Sequence, residues 1–233
     1  MSRGRARRPA PVAAPEPVVP PPPPVPVVVT AGPDTASGRT SCRRVVHLGD
    51  STSVGLVSAS FIRDPAQRMP ARYEQVGVAS SRMEIDGARS IVETLPRQVN
   101  AHDAAARARA AGFVGACWVL ALGVTDTANV AVGSRVGRSA RIDRMMEVIG
   151  DDPVLWLTTH TLVARGAWSD ANMQLWNADL LAATQRYPNI RVFDWASVAR
   201  DEWFTGDGIH YTSAGSTARA GSIAAALTVA YPE

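Results

Sequence analysis

The sequence predicts an α/β fold, a sandwich in which a parallel sheet is covered by helices. Short apolar runs alternate with amphipathic stretches of helical length along residues 44–233. Near-continuous apolar runs are typical of parallel strands buried on both faces, and regular alternation of strand and helix favours a parallel sheet. The length of 233 residues suits one domain with a tail.

Five apolar runs are predicted as strands. In chain order they span residues 44–48, 72–78, 113–122, 153–159 and 189–194. The first run is followed by Gly49, and the third, the most apolar of the five, is followed by Gly123. Ligands of open parallel sheets bind beyond the carboxyl ends of the strands, so we expect functional residues directly after these runs.

Five stretches between and after the strands are predicted as helices. They span residues 83–99, 102–111, 139–149, 169–187 and 214–231. The third stretch carries its large apolar residues at helical spacing, and Ser169 has the residue type that caps a helix N-terminus. These helices would cover the faces of the sheet.

Residues 1–44 are predicted as a disordered Arg/Pro-rich tail or linker, which leaves the domain at 45–233. The tail holds 11 of the 17 prolines and has seven arginines against two acidic residues, a balance of +5. The rest of the chain has 17 arginines against 19 acidic residues, a balance of −2. A mildly acidic domain argues against a nucleic-acid partner. Prolines in a helix interior exclude a membrane span at 18–30, so we expect an extended tether near a membrane surface.

Ser51 lies directly after the first predicted strand, within Gly49-Asp50-Ser51, and opens a helical segment. Free N–H groups at a helix N-terminus favour developing negative charge. A serine at this point meets the needs of a nucleophile beside an oxyanion site. An ordinary strand-to-helix turn with a capping serine fits the segment equally well.

A second polar segment, Asp207-Gly-Ile-His210, lies just before the last predicted helix. His210 is a candidate base for the Ser51 proton, and Asp207 is a candidate partner for its imidazole. Taken alone, this segment fits a turn with a surface histidine better. Glycine or small polar residues after the second and third strands complete four segments at one sheet edge, and their agreement favours a catalytic site.

Together, Gly49-Asp50-Ser51, Gly77, Gly123-x-x-Asp126 and Asp207-x-x-His210 resemble the four blocks of the SGNH (GDSL-like) hydrolase superfamily. The resemblance implies a flavodoxin-like three-layer α/β/α sandwich with five parallel strands in the order 2-1-3-4-5. It also implies a serine hydrolase that needs no metal and no cofactor.

The resemblance assigns roles to individual residues. It implies Ser51 as nucleophile, His210 as base and Asp207 as its partner. It implies oxyanion donors from the backbone of Ser51 and Gly77 and from the side chain of Thr125. The family has Asn where Thr125 stands, and a Thr hydroxyl is a shorter donor that also accepts. Three interpretations stay open: the Thr125 hydroxyl partly replaces the Asn donor, a nearby group such as Asn129 replaces it, or turnover is slow.

A narrower resemblance links residues 154–210 to the SGNH domains of bacterial cell-envelope O-acyltransferases and their esterase relatives. Those domains often follow a membrane acyltransferase or an anchor through a proline-rich linker. We therefore expect a monomer at the bacterial cell envelope that acts on an acyl ester of a carbohydrate or glycolipid. Asp50, Asp126, His160 and Arg165 are candidates for substrate contacts.

Cys42 and Cys117 lie seven residues before Gly49 and six before Gly123, respectively. In the implied strand order they fall at the same level of neighbouring strands, which permits a disulfide. A disulfide favours an extracytoplasmic compartment.

Two alternatives to this function stay open. One is a cytoplasmic acyltransferase or thioesterase with an acyl-thioester donor, which the lack of a visible signal peptide favours. The other is a non-catalytic envelope-binding module.

Overall fold

The computed structural model describes residue 1, residues 25–33, residue 35 and residues 38–233. Within these residues the chain forms one six-stranded parallel sheet. The strands are β1 (Val27–Val29), β2 (Arg44–Gly49), β3 (Ser80–Ile85), β4 (Cys117–Ala121), β5 (Val154–Leu157) and β6 (Ile190–Phe193). Their spatial order is β3-β2-β4-β5-β6-β1.

The predicted fold class is confirmed, with one strand more than expected. Strands β2 to β6 have the predicted order 2-1-3-4-5, and β1 adds a sixth strand at the edge beside β6. Because β1 lies in the segment predicted as a tail, the boundary at residue 44 is corrected, and the domain begins no later than Val27. Its valines cover the otherwise unpaired edge of β6, and Val29 is buried. The prolines at 9–24 lie outside the described residues.

Helices flank the sheet. They are α1 (Met69–Gln75), α2 (Ala101–Ala110), α3 (Val124–Ala131), α4 (Arg138–Ile149), α5 (Asp170–Ala183), α6 (Trp195–Val198) and α7 (Ser213–Ala230). Short 3-10 helices span Ser51–Leu56, Pro65–Gln67 and Asp201–Trp203. The helices predicted at 102–111, 139–149, 169–187 and 214–231 correspond to α2, α4, α5 and α7. In the described part of the chain, none of the helices is long and apolar enough to cross a bilayer.

Two predicted elements between residues 72 and 99 are wrong. Residues 72–75 end helix α1, and the chain then turns at Gly77, where φ is +98°. Residues 83–99 are the end of β3 followed by a loop, not a helix. Strand β3 pairs only with β2, so it is an edge strand with mostly half-buried residues. It therefore lacks the continuous apolar run by which buried strands are predicted.

The core has two layers, one on each face of the sheet. Consecutive strand residues point to opposite faces, so Val45 belongs to the layer that includes residues of α1 and α7, whereas Val46 belongs to the layer that includes residues of α2, α4 and α5. Trp118 and Trp156 extend the second layer and are fully buried. This packing fixes the strand ends that carry the site.

The predicted disulfide is confirmed. Sγ of Cys42 and Sγ of Cys117 are bonded, and their Cα atoms lie 5.7 Å apart. Cys117 is paired in register with Val45 at the start of β2. The bridge therefore ties the segment before β2 to β4 at the amino edge of the sheet, opposite the edge where Ser51 lies.

Candidate active site

Ser51, Asp207 and His210 meet at the carboxyl edge of the sheet. Nε2 of His210 lies 2.9 Å from Oγ of Ser51, and Nδ1 of His210 lies 2.6 Å from Oδ2 of Asp207. Ser51 and His210 are 159 residues apart in the chain. The fold thus assembles a hydroxyl, an imidazole and a carboxylate in the order that activates a nucleophile.

The turn that carries Ser51 is held by Asp50. Oδ1 of Asp50 accepts hydrogen bonds from the backbone N (2.9 Å) and Oγ1 (2.7 Å) of Thr52, which caps the 3-10 helix. Glycine is required at position 49, because a Cβ there would lie 2.6 Å from Cβ of Ser53. The side chain of Asp50 is fully buried. The prediction that it contacts substrate is therefore wrong, and its role is to shape the nucleophile turn.

The turn that carries His210 is held by Asp207. Oδ1 of Asp207 accepts from the backbone N of Ile209 (2.8 Å) and of His210 (3.0 Å), and from Oγ1 of Thr205 (2.8 Å). Burial acts to raise the pKa of Asp207, but the hydrogen bonds from His210, Ile209 and Thr205 outweigh it and hold the pKa well below its usual range. Asp207 therefore stays an anion that can orient the imidazole and stabilise its protonated form.

Thr125 lies beside the nucleophile turn. It is in the first turn of α3, and its backbone N–H acts to lower the pKa of Asp50, against the larger effect of burial, which raises it. Its Oγ1 is buried and has no hydrogen-bond partner among the described residues. Because this oxygen is buried and Thr125 does not line the pocket beside Ser51, its role as an oxyanion donor stays a prediction. Asn129, the alternative donor, is engaged elsewhere, since its Nδ2 donates to Glu93.

The prediction of Gly77 as an oxyanion donor is wrong. Gly77 precedes β3 and lies at the amino edge of the sheet, where its carbonyl accepts from Nη1 of Arg43 (2.9 Å). The error follows from treating residues 72–78 as a strand. Gly87, two residues beyond β3, lies instead at the carboxyl edge of the sheet, where Ser51 lies.

Gly87 is the better candidate for the second donor block. The loop that carries it lies beside the Ser51 turn, because the backbone N of Asp86 donates to the carbonyl of Gly49 (3.2 Å). No heavy atom lies within 4 Å of the position a Cβ would take at Gly87, so a ligand can approach it. In this structure its N–H donates to Oδ1 of Asp86 (2.9 Å). The sequence signal for this position is the alternating pattern of residues 80–85 followed by Asp-Gly.

Asp126 supports the site without reaching it. Its Oδ1 accepts from the backbone N of Ile91 (2.9 Å) and from Nη1 of Arg141 (2.8 Å). Asp126 and Arg141 are both fully buried. The prediction that Asp126 contacts substrate is therefore wrong, and the ion pair instead fixes α3, and with it Thr125, against the loop after β3.

His160 and Arg165 lie on elements next to the triad. Nδ1 of His160 is 2.7 Å from Oδ1 of Asp170, and its ring packs edge-on against Phe204, which begins the His210 turn. Arg165 is exposed, in a loop joined to the His210 turn by a hydrogen bond from the backbone N of Leu162 to the carbonyl of Gly208 (2.7 Å). Their role in substrate binding stays a prediction.

A pocket of about 330 Å³ opens beside Ser51, and most of its lining is apolar. The lining residues are Ser51, Thr52, Val54, Gly55, Phe61, His210, Tyr211 and Ser216. Val54 and Phe61 are exposed despite their size. Local sequence spacing does not predict this pocket, because its walls come from two segments far apart in the sequence, residues 51–61 and 210–216. It offers space for an apolar substituent next to the nucleophile.

Several solved structures share this fold. The inhibitor-bound aryl esterase of M. smegmatis superposes with a TM-score of 0.62 over 81% of this chain and 99% of its own, at 17% identity. Est24, a carbohydrate acetylesterase from Sinorhizobium meliloti, gives 0.57 over 78% and 96%, at 16% identity. A member of the lipolytic G-D-S-L family from Veillonella parvula gives 0.55 over 78% and 95%, at 14% identity.

No family model and no curated protein matches the sequence. The structural likeness therefore stands on the fold alone. The fold that the resemblance to the SGNH (GDSL-like) superfamily implies is therefore confirmed, since this chain shares it with solved esterases and a lipolytic G-D-S-L protein.

Proposed function

We propose that this protein is a serine esterase or O-acyltransferase that works through an acyl-enzyme on Ser51. The observation that carries the proposal is the hydrogen-bonded series from Oγ of Ser51 through His210 to Asp207, with distances of 2.9 and 2.6 Å. The fold gives further support, because solved structures that share it include esterases.

Acylation follows from the positions of these groups. Oγ of Ser51 attacks the acyl carbonyl carbon while Nε2 of His210 takes the hydroxyl proton. The carboxylate of Asp207 keeps Nδ1–H in place and stabilises the imidazolium. The oxyanion accepts hydrogen bonds from the Ser51 N–H, from Thr125 Oγ1 and from the Gly87 region. His210 then protonates the leaving oxygen, the carbon–oxygen bond breaks, and the alcohol departs.

Deacylation repeats these steps with a new nucleophile. Water or a sugar hydroxyl loses its proton to Nε2 of His210 and attacks the acyl-enzyme carbonyl. Collapse of the second tetrahedral intermediate returns the proton to Oγ of Ser51. Water as nucleophile gives hydrolysis, and a sugar hydroxyl gives transfer of the acyl group.

The substrate we propose is an O-acyl group on a carbohydrate or glycolipid of the bacterial cell envelope. The S. meliloti protein that shares the fold is a carbohydrate acetylesterase, which supports a carbohydrate ester here. The apolar pocket beside Ser51 supports an ester with an apolar substituent. The disulfide between Cys42 and Cys117 supports an extracytoplasmic location, because such bonds persist in oxidising compartments.

The two alternatives differ from this proposal in what they require. A cytoplasmic thioesterase or acyltransferase fits reduced cysteines, so the disulfide counts against it. A non-catalytic binding module is favoured by the departure at Thr125, but it has no need of the hydrogen-bonded Ser51, His210 and Asp207.

A fluorophosphonate probe distinguishes an enzyme from a binding module. We expect stoichiometric labelling of Ser51 in the native protein, located by peptide mass spectrometry, and none in Ser51→Ala. The matched control is Ser60→Ala, which removes an exposed serine close in sequence and keeps the triad. An unlabelled native protein would favour the binding module.

A further inference from the structure

Arg219, in α7, is a buried cation that contacts the Ser51 turn. The residue is only 4% exposed. Its Nη1 donates to the carbonyl oxygen of Thr52 at 2.7 Å and to Oγ1 of Thr52 at 3.0 Å. Because Thr52 directly follows Ser51, these bonds hold the backbone next to the nucleophile.

The same guanidinium group contacts the His210 turn. It lies 5.0 Å from the ring centroid of Tyr211 and 5.5 Å from that of Trp195. Guanidinium groups are attracted to aromatic faces, and more strongly where water is excluded. Tyr211 directly follows His210, and its hydroxyl accepts a hydrogen bond from Nε1 of Trp195 (2.6 Å). Arg219 therefore contacts the residue next to each of two catalytic candidates.

Thr52 also connects Arg219 to the buried carboxylate of Asp50. Oγ1 of Thr52 donates to Oδ1 of Asp50 at 2.7 Å while it accepts from Arg219. One hydroxyl can do both, since it has one proton and two lone pairs. Burial raises the pKa of Asp50, and the positive charge of Arg219 opposes that shift. Arg219 thus favours the ionised form of Asp50 across Thr52.

We propose that Arg219 is a positioning residue that fixes the distance between Oγ of Ser51 and Nε2 of His210. Those two groups lie on turns 159 residues apart, and Arg219 contacts both turns. Misplacement of a catalytic group by 1 Å lowers the rate about 100-fold. This inference rests on the proposed function and extends it to a residue outside the four sequence blocks.

The test compares Arg219→Met and Arg219→Lys with the native protein in hydrolysis of p-nitrophenyl acetate. Met keeps the aliphatic length without charge or donors, and Lys keeps the charge without the planar group. We expect kcat to fall about 10- to 100-fold in Arg219→Met and less in Arg219→Lys, with KM within about twofold of native. The rate constant for fluorophosphonate labelling should fall by the same factor as kcat.

The matched control is Arg186→Met. Arg186 also stacks on a tyrosine, with its guanidinium 5.5 Å from the Tyr187 ring, but this pair lies before β6 at the amino edge of the sheet. Its loss should leave kcat unchanged. All rates are measured well below the melting temperature of each variant and are normalised to folded protein.

A merely structural role makes a different prediction. If Arg219→Met lowers Tm but keeps native kcat and labelling rate, the inference is overturned. If Arg219→Met does not fold, kcat is measured instead in Arg219→Lys and Thr52→Val. Native kcat in both of these variants overturns the inference. Failure of the native protein to label at Ser51 would instead reject the proposed function, and the inference with it.

Discussion

Oδ2 of Asp207 lies 2.6 Å from Nδ1 of His210, while Oδ1 of the same carboxylate accepts three hydrogen bonds from its own turn. The carboxylate is therefore held in one orientation by its own loop, and the imidazole is aligned against it. The hydrogen bonds that keep the pKa of Asp207 below its usual range also keep the carboxylate charged.

Asp207→Asn should nearly abolish turnover while leaving the fold intact. An amide in place of the carboxylate favours the wrong imidazole tautomer and cannot stabilise the imidazolium, so we expect kcat to fall about 1,000- to 10,000-fold. Because its pKa is held below the usual range, Asp207 stays ionised and supports turnover at any pH above that low value. Its contribution to kcat is therefore lost only when the pH falls through the folded-state pKa. Steady-state kinetics at pH 7 check the prediction, and a loss of less than about tenfold would contradict it.

Thr125→Val should lower kcat without lowering stability. The hydroxyl of Thr125 is buried without a partner among the described residues, so removing it loses no hydrogen bond in the resting protein. If it donates to the oxyanion, its loss lowers kcat about 10- to 100-fold.

Thr127→Val is the matched control for Thr125. Oγ1 of Thr127 is likewise buried and unpartnered in the described structure, on the same helix. We expect native kcat in Thr127→Val, and thermal melts near native for both variants. Equal kcat values for the two variants would remove Thr125 from the oxyanion site.

Alanine substitutions at Gly87 and Gly77 should have opposite effects. A Cβ at Gly87 meets no heavy atom within 4 Å, so Gly87→Ala should keep Tm and lower kcat by crowding the site. Gly77 has a φ of +98°, and a Cβ there lies 3.0 Å from the guanidinium groups of Arg39 and Arg43. Gly77→Ala should therefore lower Tm and keep kcat per folded molecule. The reverse pattern in melts and kinetics would restore Gly77 as the donor.

Removing the disulfide should lower stability and spare activity. Cys42 and Cys117 are 75 residues apart, so the chain-entropy model gives a loss of about 4 kcal/mol in the free energy of unfolding. The bridge is at the edge of the sheet opposite Ser51, so kcat should stay native. Urea unfolding and kinetics of the Cys42→Ala, Cys117→Ala double variant check both statements. Unchanged stability, or a large loss of kcat in folded protein, would contradict them.

The triad can be predicted from sequence because its members carry local signals. Ser51 follows a glycine at the end of an apolar run, and Asp207 and His210 lie three residues apart just before a helix. The order of strands β2 to β6 follows from the resemblance that these blocks carry. Cys42 and Cys117 can be paired because their offsets from the strand ends are nearly equal.

The remaining features depend on contacts that local sequence does not show. Strand β3 is a half-buried edge strand without an apolar run, so the sequence pattern misses it. The glycine of the second family block is therefore predicted at Gly77, before β3, and not at Gly87, after it. Strand β1 lies just after the proline-rich residues and can be recognised only by its pairing with β6. Arg219 and Arg141 act through partners far away in the chain, and their spacing within their own helices carries no sign of it.

The most direct test of the proposed mechanism is mass spectrometry of the protein quenched with acid during turnover of p-nitrophenyl acetate. We expect an acetyl adduct on the peptide that contains Ser51. It should be present in the native protein and in Ser60→Ala and absent from Ser51→Ala. An adduct on another residue, or ester hydrolysis by Ser51→Ala at the native rate, would contradict a mechanism in which Ser51 is the nucleophile.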